Sequence, residues 1–306
     1  MRVRLFVLIA GFGSAIVYSG TLPAQSALPA ALAQQMGAAE ARVAQPSGKT
    51  DGVAWSQLAR LQQDAARYQD AEASYRRAIS LLEGGDPAEL ADVLDSAGTL
   101  YVETGEFGQA EPLEQRALAI REEQNDALGV GCSWMHLAML AIGRHDHAAA
   151  VRYAQMAKQR LVDAKAQPGR AASPEEKMTA LADLALAFCT DGHCERAVAP
   201  LKQARRIAVT DTDAGAMPSG YLDFLLGYAH WRMGDTAEAG RLMRSGTAAM
   251  EAQLGFGHPT YIAALTQYRA FLEESGDFAA AAAVRARLAR LEPSLEISAN
   301  SSGAAR

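Results

Sequence analysis

Cysteine is scarce in this chain, three in 306 residues, and aromatic side chains make up only 7%. So few thiols exclude a small disulfide-stapled scaffold, which needs a dense cysteine framework in place of a core. No long stretch alternates apolar and polar residues with a period of two, which excludes a sheet as the main architecture. An excess of basic residues is also missing, since 29 Lys and Arg face 35 Asp and Glu for a net charge of −6. Nucleic acid is therefore not the expected partner, because affinity for a phosphate backbone comes from clustered positive charge. Catalytic signatures are absent too: there is no Gly-x-Ser-x-Gly, no P-loop, no His-Glu-x-x-His and no Gly-x-Gly-x-x-Gly placed after a strand. The expectation is a protein that is not an enzyme and uses no cofactor or metal.

Charge is missing in one further place, between Arg4 and Glu40. Arg2 and Arg4 precede the apolar run Leu5 to Ala10, a Gly/Ser-containing apolar stretch continues to Tyr18, and small residues follow. That order predicts a secretory signal over about residues 1–26, with cleavage after Ala24, after Ser26 or within Ala31 to Gln34. The apolar core is short beside the ~20 residues of a membrane span, and an uncleaved anchor is the second reading. Either one sends the chain to the periplasm or outside the cell. No Cys precedes Cys132, so a lipoprotein-type leader is not expected. Residues 27–52, with Pro46, Gly48 and Gly52, read as a linker containing a weakly helical stretch from Ala31 to Val43. The tail at 294–306 is polar and small, and reads as disordered.

What the chain does have is a repeat. From Leu100 to Ile120, LYVETGEFGQAEPLEQRALAI ends one amphipathic helix at Gly-Glu-Phe and starts an alanine-rich one at once. Ala110, five residues after Gly105, serves as a ruler, and the same landmark recurs at Ala71, Ala150, Ala197, Ala239 and Ala281, at intervals of 39, 40, 47, 42 and 42 residues. A helix–turn–helix at such a period predicts stacked helical hairpins, here over residues 53–293. Each unit sets bulky residues against small ones, as packing at close helix contacts requires: Trp55, Leu58 and Ala59; Leu94, Ala97, Gly98 and Tyr101; Trp134, Leu137 and Ala138; Leu184, Ala185 and Phe188; Leu226 and Gly227. In unit three Gly143 comes two residues early, which predicts an irregular connection. The 47-residue interval is explained by an insertion, Ala164 to Glu176, that should be a loop. Unit six puts Tyr268-Arg269 and Arg285 at packing positions, as expected of a terminal repeat without a neighbour.

The run Trp/Leu, Leu-Gly/Ala, Tyr, Gly-x-Tyr/Phe-x-x-Ala, then Ala seven later resembles the tetratricopeptide repeat. The period near 42, AEPLEQRALAIREEQ in unit two and LGFGHPTYIAAL from Leu254 resemble its longer, kinesin-light-chain-like form. The resemblance implies an all-α, right-handed superhelical solenoid of about six antiparallel hairpins, whose first helices line a groove for a peptide or partner helix. His258-Pro259 matches a pair common in the long form and implies a structural role at a helix entry.

Helical phase then nominates a groove lining: Arg60, Asp64, Asp92, Asp95 and Glu103 in units one and two, Met135 and Met139 in unit three, and Tyr221, Phe224, Tyr228, Trp231 and Arg232 in unit five. The aromatics are either an anchor pocket or are buried by a tightly wound superhelix, and both readings stay open. Cys189 and Cys194 flank Thr190 to His193 at the turn of unit four. They can form a disulfide in an oxidising compartment, or be a groove residue and a small buried hydrophobe. The alternative function, a thiol-dependent redox or enzymatic factor, would rest on this pair. His145-Asp146-His147 is read as a solvated turn rather than a metal site, for want of a third converging donor. The expected partner is a protein or peptide, with membrane contact only through the N-terminal segment if it is retained.

Overall fold

The computed structural model describes residues 30–44, 51–65, 67–163, 171–210, 219–256 and 258–290. The expected signal segment, the tail and the first half of the insertion, 164–170, lie outside them, and the end of the insertion, Pro174 to Glu176, is the first turn of a helix rather than loop. Among the described residues there are thirteen α-helices and no strand. Helix α1, Ala30–Val43, is followed by six hairpins: α2 (Asp51–Asp64) with α3 (Tyr68–Leu82), α4 (Pro87–Glu103) with α5 (Phe107–Glu123), α6 (Ala127–Gly143) with α7 (His147–Lys158), α8 (Pro174–Thr190) with α9 (Val198–Thr210), α10 (Ser219–Arg232) with α11 (Thr236–Leu254), and α12 (Pro259–Glu274) with α13 (Phe278–Ala289). A π-turn extends α7 and a short 3₁₀ turn precedes α9. The architecture is the all-α solenoid expected from the repeat. The stretch read as a linker is not simply one, because α1 packs on α2 and buries Met36.

The ruler alanines mark where the second helix of each hairpin meets its surroundings. Ala71, Ala110, Ala150, Ala197, Ala239 and Ala281 are all at most 1% exposed. Enclosure of this kind favours a small side chain, and alanine also has the best helix propensity. The closest approach of backbone to backbone at a glycine is in unit five, where a Cβ on Gly220 or on Gly246 would stand 2.6 Å from the other's carbonyl oxygen.

Turns follow one chemistry. Five residues before the ruler, Gly105, Gly192, Gly234 and Gly276 take positive φ, which glycine adopts without strain. In unit three that position is His145, with φ 59°. The connection expected to be irregular therefore has the register of the others, and Gly143 serves packing instead, since a Cβ there would meet the Phe107 ring at 2.6 Å. Side-chain caps fix the helix starts: Asp126, Asp146, Asp235 and Asp277 accept from the backbone N–H three residues on, and Ser173 with Glu176 forms a capping box. His258 accepts from the Thr260 N–H ahead of α12, a structural role at the helix entry.

The apolar interior falls into separate clusters. One joins units one and two (Ala59 to Ala117), a small one bridges units two and three through Tyr101, Leu118, Leu137 and Leu140, another joins α6 to α8, and the largest runs from Ala138 to Val284.

Candidate functional site

Each second helix packs on the first helix of the next unit, while the first helices α2, α4, α6, α8 and α10 also touch one another in succession. The shorter arc therefore carries the first helices, and their outer stripe is the concave face. Along it Asp64 and Asp92 are exposed, Arg60 and Glu103 are half-buried, and the Gln63 side-chain amide donates to the Glu103 carboxylate. Met139 and Trp231 are half-buried and Arg232 is exposed.

Five nominated residues do not line the face. Asp95, Met135, Tyr221, Phe224 and Tyr228 are only 1–3% exposed. The reason is enclosure: α10 is packed by α8, α9 and α11. Its aromatics run on into unit six, with Tyr228 and Trp231 edge to face at 5.7 Å, Trp231 and Phe271 likewise at 5.7 Å, and Phe271 stacked with Tyr268 at 6.2 Å. The aromatic run is a core seam between units five and six rather than an anchor pocket, and such pairs add to cohesion beyond the area they bury.

Asp95 belongs to a buried ionic cluster drawn from α4, α5 and α6. Arg121 donates through Nη1 to the Asp95 carboxylate and to Ser133 Oγ at 2.7 Å, and through Nη2 to Asp92 Oδ1 at 2.8 Å. Glu114 is fully buried, and His136 places Nδ1 3.4 Å from Glu114 Oε2 and 3.6 Å from Asp95 Oδ2. Room for the Glu114 carboxylate comes from Gly98, where a Cβ would overlap it. Burial pushes the Glu114 carboxyl up, with Asp95 adding to the rise against the pull of His136. Burial opposes charge on His136, but Glu114 and Asp95 outweigh it and hold the imidazole above its ordinary range. For Asp95 the pull of His136 and Arg121 outweighs burial, and it stays below the usual carboxylate value. Nearby, Asp183 of α8 is pushed up to about 8 by burial. The sequence reading missed Glu114, Arg121 and His136, although a signal was present. Glu114 lies four residues after Ala110 and three before Ala117, and Arg121 four after Ala117, so both fall on the packing face of α5.

At the turn of unit four Cys189 and Cys194 are joined by a disulfide, with Cα atoms 4.2 Å apart, and both side chains are buried. The Arg196 guanidinium lies over the Phe188 ring at 4.1 Å beside it. Cys132 is a buried free thiol. In His145-Asp146-His147, the Asp146 carboxylate is spent on capping α7. On the other side of the array a cavity of about 360 Å³ opens between α3 and α5 over α4, with Ile79, Leu100, Pro112 and Leu113 in its walls and Tyr101 donating to Glu72 at 2.8 Å.

With this geometry in place, comparison with known proteins identifies the repeat. Residues 50–123 match the family model for the tetratricopeptide repeat, which covers units one and two. No curated protein matches the chain. Among solved structures, a putative kinesin light chain from Podosopora anserina with nearly identical TPR-like repeats is 16% identical, with a TM-score of 0.53 over 69% of this chain and 99% of that one. The apo form of RapI is 11% identical, with a TM-score of 0.67 over 87% of this chain and 71% of that one. A Rap protein complexed with Competence and Sporulation Factor is 13% identical, with a TM-score of 0.61 over 86% and 80%. At these identities the likeness establishes the fold: the whole array is a tetratricopeptide-type solenoid.

Proposed function

We propose that this tetratricopeptide-repeat solenoid is an exported, non-catalytic scaffold that binds a protein segment, as an extended peptide or a partner helix, along the concave face of its first helices. The observation that carries the reading is the acidic stripe at the N-terminal end of that face, where Asp64 is exposed, Asp92 is exposed while paired with Arg121 behind it, and Glu103 is half-buried and accepts from Gln63. With the unit-five aromatics occupied in the core, this stripe is the recognition feature of the groove, and it suits a segment bearing Lys or Arg. Charge of this kind acts mainly on the rate of encounter. The reading is supported by the Rap protein of similar fold that was solved complexed with Competence and Sporulation Factor.

Export is supported by the order basic, apolar, small at the N-terminus and by the Cys189–Cys194 disulfide, which suits an oxidising compartment. Mass spectrometry of the chain from fractionated cells tests this part. Loss of about the first 26 residues in the exported fraction is expected, and a chain retaining Met1 in the cytoplasm would overturn it. For binding, the mature chain is used to capture partners from envelope extract, and association is then followed by surface plasmon resonance. Asp64→Lys with Asp92→Lys should slow association and flatten its salt dependence. Unchanged association by that folded variant would refute the acidic stripe as the binding feature.

A further inference from the structure

The cluster beneath the concave face has more carboxylate than cation. Asp92, Asp95 and Glu114 set three carboxyl groups against the guanidinium of Arg121 and the imidazole of His136, which is a cation only while it holds a proton. Glu114 is 0% exposed, and neither of its oxygens accepts a hydrogen bond. Asp95 Oδ1 and His136 Nδ1 are also buried without one. A carboxylate stripped of water and given no donor is costly, and proteins rarely leave one so. The orphaned His136 Nδ1 and Glu114 Oε2 face each other at 3.4 Å, and the Asp95 oxygen nearest the imidazole, Oδ2 at 3.6 Å, is the one that accepts from Arg121.

We propose that Asp95, Glu114 and His136 form a binding site for one divalent transition-metal ion of the zinc type, held by His136 Nδ1 and one oxygen from each carboxylate. The donor atoms of the three residues lie within 4.8 Å of one another, with Nδ1 at 3.4 Å from the Glu114 oxygen and 3.6 Å from the Asp95 oxygen. Around a tetrahedral ion with bonds of about 2.0–2.1 Å, donors stand about 3.3 Å apart, so the two spacings at the imidazole are close to those of a coordination shell. A mixed nitrogen and oxygen set suits zinc and its neighbours better than calcium, which takes six to eight oxygens. With the ion in place of the protons on His136 and Glu114, three carboxylates are balanced by Arg121 and the ion. Arg121 then supports a ligand from behind, since it grips Asp95 while bound itself to Ser133 Oγ and the Gly129 carbonyl. His136 keeps 22% of its side chain exposed, which gives the ion an entry from the face. The three ligands come from α4, α5 and α6, so the ion would tie units two and three together.

The test uses the full mature chain, stripped with a chelator and titrated with Zn²⁺ by calorimetry. One ion per chain and a raised melting temperature are expected. Glu114→Gln, nearly isosteric, and His136→Asn should each weaken binding by at least about 100-fold, since loss of a supporting residue alone costs 10–100-fold. His145→Asn with His147→Asn should leave binding unchanged. X-ray absorption at the zinc edge of the loaded parent should show one imidazole and a shell otherwise of oxygen, a reading that needs no variant to fold. Three results would overturn the proposal: no binding by the folded parent, binding that survives Glu114→Gln but is lost with the His145/His147 pair, or a shell without imidazole. In each case the cluster is an ion-pair network only. None of these outcomes depends on a partner in the groove.

Discussion

Gly240 and Gly246 lie six residues apart in α11, and replacing each by alanine should move stability in opposite directions. In a helix interior, glycine costs roughly 0.8–1 kcal/mol relative to alanine, so both substitutions start with the same gain. At Gly240 the new methyl would meet only the Phe271 ring at 3.4 Å, an ordinary contact. At Gly246 it would stand 2.6 Å from the Gly220 carbonyl oxygen, 2.7 Å from Phe224 N and 3.0 Å from Phe224 Cα. Those are backbone atoms of α10, which cannot swing aside as a side chain can, so the upper part of the ~1–3 kcal/mol overpacking range applies. Net, Gly240→Ala gains about 0.5–1 kcal/mol and Gly246→Ala loses about 1–2 kcal/mol. For 150–250 residues each kcal/mol moves the melting temperature by about 2–4 °C, so a rise of about 1–4 °C and a fall of about 2–8 °C are expected. Thermal melts followed by circular dichroism read both, and hydrogen exchange on α10 and α11 locates the loss. A Gly246→Ala chain that melts at or above the parent would refute the close-contact geometry of unit five.

Asp183 gives a pH dependence. Its carboxyl is held up to about 8 in the fold, against about 4 in an unfolded chain, so between these values folding takes up a proton and stability falls as pH rises. Asp183→Asn should remove its share of that slope, to which the buried Glu114 also contributes, and be worth more at pH 8 than at pH 5, in melts run with chelator present; an unchanged slope would contradict the burial of this carboxyl. The Cys189–Cys194 link should leave one titratable thiol in the denatured, unreduced chain and three after reduction. Because it closes so short a loop, the chain-entropy estimate for its loss is about 2 kcal/mol, and Cys189→Ser with Cys194→Ser should lower the melting temperature while leaving partner capture intact. Loss of capture without loss of fold would favour a thiol-dependent role instead.

The array was legible because its signals are local: an alanine at a fixed distance from a turn, with bulky and small residues in register. Even the departure in unit three obeyed the rule, once His145 is seen to hold the left-handed position that glycine holds elsewhere. The groove was less legible because phase within one helix does not count how many neighbours that helix has. A first helix in the middle of the stack meets its own partner, the second helix before it and the first helices on either side. In α8 every residue from Met178 to Cys189 is buried, so no polar stripe is left to read. At the N-terminal end fewer neighbours crowd α2, and there the nominated Asp64 stays exposed while Arg60 is half-buried. The ionic cluster was missed for another reason. Asp95, Glu114 and His136 are spread over 42 positions on three helices, and convergence of that kind is set by stacking rather than by spacing. Helix α1 was underread because its small, weakly amphipathic sequence carries little signal apart from Met36, which finds a place only once α2 is there.

Cohesion along the rod is uneven as a consequence of how the interior is divided. Units three to six share one continuous apolar mass, whereas units one and two share another, and the two meet at a joint where a small apolar cluster lies beside salt-linked carboxylates. Neighbour coupling sets how far disorder spreads in a stacked array. Under load applied to its ends the molecule should part at that joint, giving two blocks that lose structure separately, and the strength of the joint should answer to ions in solution while that of the blocks does not.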